Sequence, residues 1–148
     1  MVQIKEMRQE DLQKISDFSD FDDFWTISIL EKDIQETGAI YYQAIQEEEI
    51  VGILGAKQIL DVVEIMNIAV KKERRNQGIG RMLFAYFLQQ MQKDETIQKI
   101  ELEVNENNAV AIHLYETHGF KRVGKRPGYY GNQADAILMN FEKENSRN

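Results

Sequence analysis

Between Asn67 and Arg81 the chain reads N-I-A-V-K-K-E-R-R-N-Q-G-I-G-R, a stretch whose residue types suit an anion. Five cations, Lys71, Lys72, Arg74, Arg75 and Arg81, stand with one acid, Glu73, and the glycines Gly78 and Gly80. Upstream, Ile65, Met66, Ile68, Ala69 and Val70 form a nearly continuous apolar run that reads as a short buried strand. Downstream, Ile79, Met82, Leu83, Tyr86, Phe87 and Met91 recur at three- and four-residue spacing, the pattern of an amphipathic helix. A helix N-terminus presents unpaired N–H groups and partial positive charge. Glycine there lets the backbone approach a phosphate with no Cβ in the way. The spacing therefore predicts a diphosphate site. A dinucleotide fingerprint fails because Leu83 stands where a third glycine is needed. A Walker A reading of Gly119 to Lys125 fails because Arg126 replaces the magnesium-binding Ser or Thr.

Two further side chains could move protons. Glu103 lies on a predicted strand where Ile100, Leu102 and Val104 face one way and Lys99, Glu101 and Glu103 the other. It is either a solvated glutamate or a base at the strand end where ligands of open α/β sheets gather. Tyr115, at helical spacing from Ile112 and Ala111, either packs its ring in the core or also presents its hydroxyl as an acid. Asn108, at the start of that helix, caps it or hydrogen-bonds a ligand.

The elements that position these groups are set by periodicity and turn chemistry. Val2 to Met7 reads as a strand, Gln9 to Phe18 as a helix, and Phe18 to Phe24 as a turn or exposed loop. A helix is expected from the N-cap Thr26 to Glu36, closed by Gly38. Strands Ile40–Ile45 and Ile50–Ile59 flank the acidic turn Glu47-Glu48-Glu49. After the phosphate loop and a helix to about Met91 come a strand over Ile97–Val104 and a helix capped by Asn107 or Asn108. That helix stops at His118-Gly119, and closing strands cover Phe120–Lys125 and Ala134–Phe141. Mixed strands and helices around one sheet make an α/β or α+β fold, with one domain over residues 1–148 and a polar tail from about residue 142.

Composition narrows the function classes. The 148 residues include no cysteine and two histidines, so disulfides, thiolate metal sites and a cysteinyl acyl-enzyme are excluded and no metal is expected. A net charge of −7 argues against general nucleic-acid binding. No apolar run reaches membrane-spanning length and no signal-peptide core is evident, so a cytoplasmic location is expected. Charge is uneven, with seven acids and one lysine between Asp17 and Glu36.

The pattern Arg75-x-x-Gly78-x-Gly80, after a strand and opening a helix, resembles the acetyl-CoA loop of the GNAT N-acetyltransferases. Glu103-Val104, Asn107-Asn108, Ala111-Ile112, Leu114-Tyr115-Glu116, Gly119-Phe120, Arg126, Tyr129-Tyr130, Asp135-Ala136-Ile137 and Met139 resemble its ribosomal-protein-alanine (RimI-type) branch, as do Trp25-Thr26 and Asn67 to Val70. The resemblance implies a single-domain α/β (α+β) fold, with a mixed sheet of about seven strands flanked by about four helices. It implies acetyl-CoA as co-substrate, contacted by Ile68, Ala69, Val70, Arg75, Asn76, Gln77, Gly78, Ile79, Gly80, Arg81 and Asn108. Glu103 would be proton acceptor and Tyr115 proton donor, in direct attack without an acyl-enzyme. Asn105, Asn107, Ala134 and Phe24 depart from the branch, and these lie nearer the acceptor than the cofactor loop.

For the acceptor, a free α-amine is roughly a tenth neutral at pH 7, a lysine amine under about one part in a thousand. A single carboxylate base serves the α-amine more easily. The expected acceptor is a protein or peptide N-terminus such as that of a ribosomal protein, with Tyr129, Tyr130 and Asp135 at the peptide end of the site. A lysine or small-amine acceptor and a non-catalytic CoA sensor are the alternatives, and oligomeric state is not legible. The acidic Asp17–Glu36 stretch would attract basic termini.

Overall fold

The alternation and turn signals build one sheet. Its strands are β1 (Gln3–Glu6), β2 (Ala39–Gln46), β3 (Glu49–Ile59), β4 (Val62–Val70), β5 (Lys99–Asn105), β6 (Lys121–Arg126) and β7 (Ala136–Glu142). The α-helices are α1 (Ile27–Asp33), α2 (Ile79–Lys93) and α3 (Ala109–Thr117), with 3-10 segments at Gln9–Lys14 and Lys72–Arg74. The computed structural model describes residues 1–15, 21, 27–129 and 134–143.

Spatial order is β1-β2-β3-β4-β5-β7-β6. Among the described residues, only β4 and β5 pair in parallel; the other neighbours are antiparallel. A parallel pair needs a crossover, and α2 supplies it. Among the described residues, the mixed seven-stranded sheet, with three α-helices and the Gln9–Lys14 segment around it, is the α/β fold expected.

Two cores cover the sheet. Helix α2 buries Ile79, Leu83, Phe84, Phe87, Leu88 and Met91 against Val63, Ile65, Ile100, Leu102 and Val104, and Ile112 of α3 joins them. Each such side chain contributes about 1.5–3 kcal/mol on leaving water, an upper bound from area alone. Leu30 of α1 and Leu12 form a second core with Tyr41, Ile50, Ile53 and Ala69.

Strand β4 differs from the buried run expected of it. Asn67 pairs with Gly55 and Ile65 with Ala56, so Met66 is an extra residue in a β-bulge. The bulge switches faces: Val63 and Ile65 enter the α2 core, whereas Ala69 enters the second core and Ile68 and Val70 turn toward α2. Met66 is 42% exposed as a consequence. Pairing of β4 with β5 is confined to Val62–Lys99, Val63–Ile100 and Glu64–Glu101. Beyond those pairs, where the bulge begins, the two parallel strands part.

Other differences are local. The helix expected over Gln9–Phe18 is a 3-10 segment ending at Lys14, because Ile15 is already extended (φ −88°, ψ 113°). The α1 helix ends at Asp33 and turns lead to Gly38 at φ 88°. The expected cap Thr26, together with Trp25 and the acids Asp17, Asp20, Asp22 and Asp23, lies outside the described residues. Phe21, expected on an exposed loop, is buried in the second core.

Candidate active site

Strand β4 delivers the chain to the phosphate loop, and the start of α2 is built open. Gly78 is the N-cap, in the left-handed conformation (φ 81°), and no side chain caps the helix. The first α-helical bond runs from the Met82 N–H to the Gly78 carbonyl at 3.0 Å. Asn76 is also left-handed (φ 64°), a conformation asparagine tolerates better than most residues. Ile79 anchors the helix start in the core, so it could meet a ligand only through its backbone, and buried Ala69 is limited in the same way.

The two glycines differ. A Cβ on Gly78 would meet nothing within 4 Å, but its φ favours glycine. Gly80 has no positive φ, and a Cβ there would meet only Val70 Cγ2 at 3.6 Å, an ordinary contact. The protein itself therefore makes no demand for glycine at position 80.

The loop's cations are not all available to a phosphate. Lys71 is buried, with Nζ 2.6 Å from Glu49 Oε1. Arg74 donates to Gln46 Oε1 at 2.7 Å, and Arg75 donates from Nε to the Val70 carbonyl at 3.0 Å. These three residues brace the loop against the β2–β3 hairpin and against itself. Gln77 is exposed, as is Arg81, which lines a cleft of about 490 Å³ with Val110, His113 and Leu114 of α3. The helix N-terminus, more than the cation count, makes the loop attractive to an anion.

Asn108 is the N-cap of α3, its Oδ1 accepting the Ala111 N–H at 3.1 Å. Of the two roles weighed for it, capping is realised. Gly119 (φ 93°) closes α3 as expected. Tyr115 is half-buried, its ring centroid 5.1 Å from that of Phe84 and 6.1 Å from that of Phe120, so it ties α3 to α2.

Glu103 projects from the opposite face of β5. Its side chain is 18% exposed, and Oε1 lies 2.7 Å from Arg126 Nη2. Glu64 shares that face. Burial, then the charges of Glu103 and Glu101, hold its carboxyl above the usual range, with Arg126 pulling the other way. Tyr115 and Glu103 thus sit on different faces of the sheet. Glu103 lies beyond the last paired residues of β4 and β5, Glu64 and Glu101.

The loop between β6 and β7 borders Glu103. Tyr129 is half exposed, with the Arg126 guanidinium 5.1 Å from its ring centroid. Asp135 accepts the Gly128 N–H at 2.8 Å and lies 3.5 Å from Lys125 Nζ, while its own N–H donates to Glu106 Oε2 at 2.7 Å. Its carboxylate thus ties Gly128 and Lys125 to the start of β7. Tyr130 lies outside the described residues. Spacing alone assigns no role to Arg126 or Glu64. Strand alternation could have put Glu64 on the Glu103 face, but the pairing of Arg126 with Glu103 depends on β7 entering between β5 and β6. Among the described residues no group of acids and histidines could hold a metal ion, and no helix is long and apolar enough to cross a membrane.

Comparison with known proteins converges on this architecture. The family model described as the acetyltransferase (GNAT) family matches residues 1–120. The [ribosomal protein bS18]-alanine N-acetyltransferase of Escherichia coli K12 is 33% identical over 101 residues, covering 66% of this chain and 68% of its own. An N-alpha-acetyltransferase of Saccharolobus solfataricus is 33% identical over 118 residues, 72% of this chain and 71% of its own. The crystal structure of the Escherichia coli ribosomal-protein-S18-alanine N-acetyltransferase superposes with a TM-score of 0.85 at 27% identity, covering 96% of this chain and 94% of that one. With an open helix N-terminus after a bulged strand, and a family match over most of its length, the chain belongs to the GNAT family of acetyltransferases and uses acetyl-CoA as its acetyl donor.

Proposed function

We propose that this acetyltransferase acetylates the free α-amine of a protein N-terminus, of the ribosomal-protein-alanine kind. The observation that carries the reading is the placement of Glu103 at the parted ends of β4 and β5, on the face opposite the one Tyr115 packs against. The names of the Escherichia coli and Saccharolobus relatives support the choice of acceptor.

In this reading, backbone groups of Asn76 to Arg81 bind the diphosphate, and those of Ile68 to Val70 hold the arm that leads into the gap. The thioester lies between the two sheet faces. The amine nitrogen attacks its carbonyl carbon as the C–S bond breaks. Glu103 accepts the proton the amine must lose, directly or through water, and the Tyr115 hydroxyl gives one to the departing thiolate. Tyr129, Tyr130 and Asp135 form the peptide end, with Asp135 acting through its ties to Gly128 and Lys125. A ribosomal-protein acceptor makes the cytoplasm the place of action.

The test monitors CoA release with a peptide beginning Ala-Arg-Tyr, beside the same peptide with a blocked N-terminus and an added lysine. Turnover confined to the free N-terminus is expected. Turnover on the blocked lysine peptide would move the function to side-chain acetylation, and CoA binding without turnover on either would remove the peptide assignment.

A further inference from the structure

We propose that Arg126 is a specificity-determining residue that receives the carbonyl oxygen of the acceptor's first residue while Glu103 receives its amine. This deepens the α-amine reading above and rests on it.

Strand register brings the two side chains together. Glu103 pairs with Leu138, whereas Arg126 pairs with Ala136, two residues earlier on β7. To reach Glu103, the Arg126 side chain must cross β7 diagonally, about two strand spacings or roughly 10 Å. The small side chain of Ala136 leaves the crossing open. Tyr129 lies under the guanidinium, and this cation–π contact limits its swing. The guanidinium is thus held beside the carboxylate from two directions.

The ion pair uses one atom of each partner, Arg126 Nη2 and Glu103 Oε1. Among the described residues, Glu103 Oε2 and the other guanidinium nitrogens have no further hydrogen-bond partner. A carboxylate acceptor and a charged donor therefore stand side by side, each with capacity to spare. A peptide N-terminus carries the complementary pair. Its amine nitrogen and first carbonyl oxygen are separated by two carbons and lie about 3 Å apart from standard bond lengths. The amine can donate to Oε2 while the carbonyl accepts from the guanidinium. The guanidinium charge alongside offsets part of the pull of the carboxylate toward the ammonium form. A lysine ε-amine ends a chain of four methylenes and brings no carbonyl to the donor. The pair thus distinguishes the two amines by whether a carbonyl lies two bonds from the nitrogen.

The experiment compares the Ala-Arg-Tyr peptide with an isostere whose first peptide bond is a trans alkene, which keeps the shape and removes the carbonyl. In the native enzyme the carbonyl peptide is expected to be preferred by about 10- to 100-fold in kcat/KM, the effect of one hydrogen bond to a charged donor. In R126M the preference should fall to within about threefold, and R126K, which keeps a donor, should retain part of it. The ratio is taken within each variant, so a general loss of activity does not mimic the effect, and acetyl-CoA binding to each variant checks that it is folded. A preference that persists undiminished in R126M, or is absent from the native enzyme, overturns the assignment while leaving N-terminal acetylation intact. If the native enzyme acetylates only the blocked lysine peptide, the α-amine reading itself falls, and this inference with it.

Discussion

A G80A substitution tests the proposed diphosphate site, because the fold itself has room for the added methyl. In the free protein the G80A methyl would rest 3.6 Å from Val70 Cγ2, in the first turn of α2 and with no positive φ to strain. Replacing glycine by alanine at such a helical site removes unfolded-state freedom and is expected to stabilise the chain by about 0.5–1 kcal/mol. For a protein of this size that is a rise in Tm of roughly 1–4 °C. The same methyl would stand on the N–H surface offered to the diphosphate. Losing one charge-assisted hydrogen bond there costs about 1.5–3 kcal/mol, or roughly 10- to 150-fold in Kd. Thermal unfolding of the free protein and calorimetric titration with acetyl-CoA read the two effects separately. G78A is the contrast: its Cβ meets nothing, yet φ 81° makes alanine cost about 1–2 kcal/mol, so stability should drop. A G80A protein of raised stability and undiminished acetyl-CoA affinity would refute the placement of the diphosphate on this helix start.

E103Q should lower kcat by about 10²–10⁴-fold while acetyl-CoA affinity stays near native, and equal losses in both would make Glu103 a structural residue. G38A should destabilise by at least about 2 kcal/mol in denaturant unfolding, because its Cβ would lie 2.3 Å from the Gln58 carbonyl oxygen at φ 88°. For Asp11, burial works to raise the carboxyl pKa, but hydrogen bonds from the Arg8 N–H, Lys14 and Gln43 outweigh it and the net direction is down. A lowered folded value means Asp11 stabilises the protein above the usual carboxylate range and ceases to do so as pH falls through the folded value. Unfolding free energies measured from pH 6 downward should therefore decline less steeply in D11N than in the native chain.

The sequence alone determined the local parts of this protein. The strand–loop–helix around Gly78 and Gly80, the cap at Asn108, the left-handed stop at Gly119 and the alternation that turns Glu103 away from Leu102 and Val104 are set by a few neighbouring residues. Their physics is short-range: φ preference, capping and a period of two or 3.6. Tertiary structure decided what depends on pairing partners distant along the chain. The bulge at Met66 exists only because Gly55 and Ala56 of β3 fix the register across from it, and no periodicity within β4 announces it. Lys71 and Arg74 count among the cations of the basic stretch, but Glu49 and Gln46, on a hairpin more than twenty residues away, engage them. Phe21 sits among aspartates and is nonetheless buried, because the second core beside Tyr41 and Leu30 has room for a ring. The pairing of Arg126 with Glu103 arises because the last strand inserts between the two that precede it, an order set by the packing of the whole sheet.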